Sequence, residues 1–168
     1  MSQFTFLASN MPLENLENPH IKMFSINQAI AQGIEMTEFL PDNIDRDKPN
    51  VLLWVADEEK LHELTIFETK NYSIGMKYNS IAEWVYTAER AEQLISYIRR
   101  HLESADSLEI WHVWLDGYNE IIGKPEIVVI NIKDLTEDKL AKYLKDNDDD
   151  TRPVRIIIKN INTTKEML

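Results

Sequence analysis

Between Ser107 and Gly117 apolar side chains alternate onto both sides of an extended chain, with Leu108, Ile110, His112 and Trp114 on one side and Trp111, Val113 and Leu115 on the other. A strand that is apolar on both sides has to be covered on both. It is therefore expected in the middle of a sheet, with a helix on one face and a second layer or a partner on the other. Gly117 is expected to turn the chain out of this strand at positive φ. Just upstream, Ala91, Leu94, Ile95, Ile98 and Leu102 recur at the three-four spacing that gathers them on one helical stripe. Thr87 stands where an N-cap belongs, Glu89 and Glu92 lie in the first turns and Arg99, Arg100 and His101 in the last, in the order a helix dipole favours.

The same reading extends outward. Residues 3–8 alternate as a strand, 9–19 form a Pro- and Asn-rich loop, and 20–24 are again extended. Ser25 caps a short helix over 26–32 that Gly33 ends. Residues 34–40 fit either a helical turn or an irregular edge. The loop 41–50 precedes a strand over 51–55, and Asp57-Glu58-Glu59 either opens a turn or joins a hairpin to a strand over 64–67, the two strands being expected to pair antiparallel. Residues 69–80 read as a surface excursion carrying Tyr72, Met76 and Tyr78, and 81–86 as a strand or the first turn of the main helix. A β-branched run over 126–132 predicts a strand. Thr136 caps a second helix stapled by Leu135 and Leu140, and 154–158 is the last strand. About seven strands and three helices with short β-β steps predict an α+β fold: a mixed or mainly antiparallel sheet with helices packed on it, as a single domain over 1–160 and a loose tail over 161–168.

Composition narrows the function classes. No stretch approaches the roughly 18 apolar residues that cross a bilayer, no basic region precedes an apolar one at the N-terminus, and there is no Cys, so a cytoplasmic protein without disulfides or thiol chemistry is expected. The net charge is −11 from 18 basic and 29 acidic residues, which repels phosphate backbones and anionic lipid and attracts basic proteins. Neither a nucleic acid nor a membrane is an expected partner. Residues 1–68 hold 12 of the acidic and 4 of the basic residues, so the excess is concentrated there.

The search for chemistry is mostly negative. The four glycines, Gly33, Gly75, Gly117 and Gly123, are too dispersed for a phosphate-cradling loop or a dinucleotide fingerprint. Asp146 to Asp150 resembles the opening of a calcium loop, but Thr151 stands where the sharp turn needs Gly and Ile157 where the bidentate Glu should be. His62-Glu63 lacks the second His of a metalloprotease helix. No metal and no cofactor is expected. His112 and Asp116 share a strand face about 13 Å apart, too far for a dyad unless other residues join them.

The leading expectation is a non-catalytic acidic protein-binding domain, most concretely an immunity-type inhibitor of a basic toxin or nuclease, contacting its partner through Asp42, Asp45, Asp47, Asp57, Glu58, Glu59 and Trp111. One alternative is a small-molecule-binding or hydrolytic site around His112, Trp114 and Asp116. Another is an oligomeric interaction domain, with a homodimer through an edge strand as one form.

Overall fold

A computed structural model describes residues 2–36, 43–145 and 152–161. It is α+β. In chain order the elements are β1 (Ser2–Ser9), β2 (Ile21–Phe24), α1 (Ile26–Ala31), β3 (Leu52–Val55), a 3-10 turn (Glu58–His62), β4 (Thr65–Glu68) and β5 (Tyr78–Glu83). They continue with α2 (Ala88–His101), β6 (Ser107–Leu115), β7 (Glu126–Asn131), a 3-10 turn (Ile132–Asp134), α3 (Glu137–Leu144) and β8 (Val154–Lys159). The chain divides into two compact units, one of residues 1–17 with 64–168 and one of residues 18–63.

The larger unit holds a six-stranded sheet in the order β4-β5-β1-β6-β8-β7, antiparallel throughout except for β7 beside β8. It is thus mixed, and β6 sits inside it as its two apolar faces require. Register assigns the faces, because cross-strand partners point the same way. Leu7 pairs with Ile110 and Ile110 with Ile156, so these share one face. Phe6 pairs with Trp111 and Trp111 with Arg155, so these share the other. On the first face the buried Leu7, Leu108, Ile110, Ile156 and Ile158 pack with Leu94, Ile98, Leu140 and Leu144 of α2 and α3. Thr87 caps α2 by accepting from the Arg90 amide, and Thr136 caps α3 by accepting from Lys139. Trp84 Nε1 donates to the Leu144 carbonyl at 2.9 Å, tying the link after β5 to the end of α3.

The second face is filled by Phe6, Ile74, Val113 and Leu115, with Phe4, Tyr72 and Trp111 against them. Part of its cover is the loop over 69–77, which the sequence pattern places on the surface. The Tyr72 ring lies tilted at 5.5 Å from Phe4 and 5.2 Å from Phe6, so it turns inward and is half-buried. The end of the expected excursion is strand, since β5 begins at Tyr78.

Residues 18–63 form the smaller unit, a two-stranded antiparallel sheet of β2 and β3 with α1. Ser25 and Gln28 make a reciprocal capping box. Gly33, at φ +74, ends α1, and the Ile34 amide reaches back to the Ala29 carbonyl in the manner of a Schellman cap.

Two local expectations are corrected. The strands at 52–55 and 65–68 do not pair with each other: β3 pairs with β2, and β4 with β5. The connection between them is used by a 3-10 turn that Asp57 caps by accepting from Glu59, which leaves no hairpin. Gly117 is not at positive φ either. After β6 the turn is made by the Asp116 carboxylate, which accepts from the amides of Tyr118 and Glu120 at 2.8 and 2.9 Å, and the left-handed residue is Asn119 at φ 65.

Candidate functional site

The acidic residues expected to contact a partner fall in the smaller unit, except Asp42, which lies outside the described residues. This unit carries nine acidic and four basic residues in residues 18–63. Its two groups of carboxylates are held by short-range bonds. Asp45 accepts from the Asp47 amide at 3.0 Å, and Asp47 accepts from the Asn27 side chain at 2.8 Å, while the Asn27 amide donates to the Arg46 carbonyl. The loop 45–47 is thereby pinned to the first turn of α1. Asp57, Glu58 and Glu59 form the cap and first turn of the 3-10 segment, directly after β3. All five are exposed.

The same unit carries an apolar surface that sequence reasoning missed. Met23 and Leu53 are directly opposed across the β2–β3 pair and remain 44% and 54% exposed. Lys22, Trp54 and Phe24 lie on the other side of the same ribbon, with the Lys22 ammonium 5.7 Å from the Trp54 ring centre. The signal available in the sequence was the length of these elements: an isolated two-stranded ribbon has little against which to bury both of its sides.

Trp111 belongs to the larger unit and is half-buried on the second face of the large sheet. Its Nε1 donates to Glu109 Oε2 at 2.8 Å, and the Arg155 guanidinium stacks on its ring at 4.8 Å. Arg155 also grips Glu109 with two nitrogens, Nε at 3.1 Å to Oε2 and Nη2 to Oε1. Glu109 is 1% exposed, so this bidentate pair is what allows a carboxylate inside the sheet. A carboxylate between Leu108 and Ile110 in a doubly apolar strand was itself the clue that a cation faces it.

The proposed pocket residues lie at one end of β6. His112 is 7% exposed and both ring nitrogens are engaged: Gln3 Nε2 donates to Nε2 at 2.7 Å, which leaves Nδ1 to donate to Thr5 Oγ1 at 2.8 Å. Trp114 neighbours it across the register on the Gln3 side, its buried Nε1 lacking an acceptor among the described residues. Asp116 is committed to its own turn. The three are not brought together around an open space by any contact described.

Another histidine was passed over. His101, at the end of α2, meets Ser9 Oγ at 2.7 Å, and burial pushes its pKa down, with Glu14 opposing. A neutral imidazole bonded to a hydroxyl is the first half of a nucleophilic pair. Yet Ser9 is wholly closed to solvent and also accepts from the Met11 amide at 3.1 Å. The recess beside it is lined by Pro12, Glu14, Tyr97, Arg100, His101 and Ser104, and Ser9 does not open into it. Tyr97 donates to the Glu14 carbonyl, and burial first and Glu14 second push its phenol up to about 12. These bonds dock the chain after β1 onto α2.

Among the described residues no group of His, Asp and Glu is arranged to hold a metal ion, and no helix is long and apolar enough to cross a membrane. The chain is an α+β protein with a mixed six-stranded sheet. Comparison with protein-family models, with curated proteins and with solved structures finds no match.

Proposed function

We propose that this chain is a non-catalytic, cytoplasmic protein-binding domain that engages a basic partner through residues 18–63, most concretely as an immunity-type inhibitor of a basic toxin or nuclease. The observation that carries the reading is the combination, in one small unit, of an exposed apolar pair, Met23 and Leu53, with the exposed carboxylates of Asp45, Asp47, Asp57, Glu58 and Glu59. Carboxylates at a rim steer a cationic partner and raise the association rate, while the desolvated apolar centre holds it. On a nuclease such carboxylates take the place of substrate phosphates against the enzyme's Arg and Lys, and the ribbon blocks access to them. Inhibition of this kind asks for no reacting group on the inhibitor.

The test is capture from a lysate of the native organism, with identification of the captured protein and assay of its activity. The expected result is a protein of high isoelectric point whose toxic or nucleolytic activity stoichiometric amounts of this chain abolish. Binding should weaken with salt and be lost with Asp45→Lys, Asp47→Lys, Glu58→Lys and Glu59→Lys combined. Capture only of proteins whose binding ignores both salt and charge reversal would end the proposal, as would a captured basic enzyme that stays fully active.

A further inference from the structure

The six-stranded sheet ends in β4 on one side and β7 on the other, and the two edges are treated differently. The edge of β4 is closed at its middle by Leu16, whose amide and carbonyl exchange 2.8 Å bonds with Ile66. Among the described residues no strand lies outside β7. Its run Glu126-Ile127-Val128-Val129-Ile130 contains no Pro, no Lys and no positive-φ residue, the usual devices that stop an edge from pairing. On the face away from the helices Ile127 is 58% and Val129 52% exposed, high values for β-branched side chains within a strand. Beyond them Asn131 is already tied to the Ile161 carbonyl.

We infer that two copies of this chain associate through the outer edges of β7, paired antiparallel about a two-fold axis at Val128. A two-fold normal to the sheet keeps each face on its own side, so it sets Ile127 opposite Val129 of the second copy and Val129 opposite Ile127. The exposed apolar residues thus cover one another. Charge favours the same direction. The Lys124 and Glu126 end of one strand meets the Lys133 and Asp134 end of the other, so that ends carrying both signs adjoin, all four residues being exposed. A parallel in-register copy would instead set Glu126 on Glu126 and Lys133 on Lys133. Five residues of strand cover less than the ~1,600 Å² of a standard interface, so the association is expected to be a weak, concentration-dependent one. This surface is independent of the acidic unit, so either reading can fail alone.

Sedimentation velocity of the full chain from about 1 to about 300 µM tests it. The expected result is a mass that doubles across that range, and a monomer throughout for Ile127→Thr with Val129→Lys, which adds no charge opposite Arg155 and whose thermal midpoint at low concentration stays close to that of the parent because both positions are exposed. Since the chain has no cysteine, Val128→Cys should form a disulfide dimer on mild oxidation, cross-strand Cα spacings of about 4.5–5.5 Å being within bridging reach. Val85→Cys, at a residue 61% exposed, should stay largely uncrosslinked. A monomer at every concentration, a dimer that survives the double substitution, or cross-linking as fast from Val85→Cys as from Val128→Cys would each overturn the inference.

Discussion

On the helix-covered face of the large sheet, Leu7, Ile110, Ile156 and Ile158 meet Leu94, Ile98, Leu140 and Leu144, all aliphatic and all closed to solvent. On the opposite face Phe6 and Trp111 share the sheet with the Glu109–Arg155 pair under the loop 69–77. Aliphatic contacts have no direction, so the first face depends on volume. Ion-pair and indole hydrogen bonds do have direction, so the second depends on where single atoms stand. The same strand, β6, supplies both: Ile110 points into one environment and Glu109 into the other. Stability is therefore spread broadly on one side of the sheet and concentrated on the other.

The largest effect is expected on the aliphatic side. Leu94→Ala should cost about 3–5 kcal/mol through lost transfer energy and a residual cavity, whereas Leu94→Met, which keeps the volume, should cost under about 1.5 kcal/mol. Urea titration with an unchanged slope checks both, and a Met variant as damaged as the Ala variant would show that this face depends on shape as well.

On the other face Arg155→Ala strands the Glu109 carboxylate and should cost about 3 kcal/mol. Replacing the pair together, Glu109→Leu with Arg155→Met, should recover most of that loss, because the desolvation of two charges is removed along with their attraction. The double-mutant cycle reads the coupling directly, and additive losses would mean that the pair does not act as a unit.

A smaller loss of about 2 kcal/mol is expected from Gly75→Ala. Gly75 is at φ +74, and an added Cβ would stand 2.7 Å from Glu109 Oε2 and 2.8 Å from Trp111 Nε1. Combined with Glu109→Leu and Arg155→Met, the steric part should change while the backbone part remains, so the cost should differ between the two backgrounds.

The smallest effects are those of pH, on the helix side. Burial lowers the His101 pKa, so the unfolded chain takes up a proton first as pH falls. Its contribution is fully present above about pH 6.5 and declines below that value, and His101→Gln should flatten this acid limb. The Tyr97 phenol is raised to about 12, so its contribution holds up to the ordinary phenol value of about 10 and is lost as pH rises from there toward about 12. Tyr97→Phe should flatten that alkaline limb. Thermal melts across the pH range would show whether the slopes persist in the variants.

Much of the architecture was legible in the chain. The caps at Ser25, Thr87 and Thr136, the end of α1 at Gly33 and the position of β6 inside the sheet follow from residue chemistry a few positions apart. The candidate site was legible in part: the carboxylates are exposed, but their apolar companions Met23 and Leu53 emerged only once β2 had found β3. Asp116 was read as a site residue and is a turn former, a role carried by bonds to Tyr118 and Glu120 that its strand spacing from His112 does not reveal.

By itself the sequence determined most element types, the helix caps, the acidic balance and the double-sided burial of β6, because periodicity, capping and charge are local properties of the chain; β5 it left divided between a loop and a strand or helical turn. Tertiary structure alone decided that β3 pairs with β2 and β4 with β5, that Tyr72 turns inward, and that Arg155 closes on Glu109 from 46 residues away. Such choices rest on which distant partner offers the matching edge, volume or charge, and that competition is settled only when the whole chain packs.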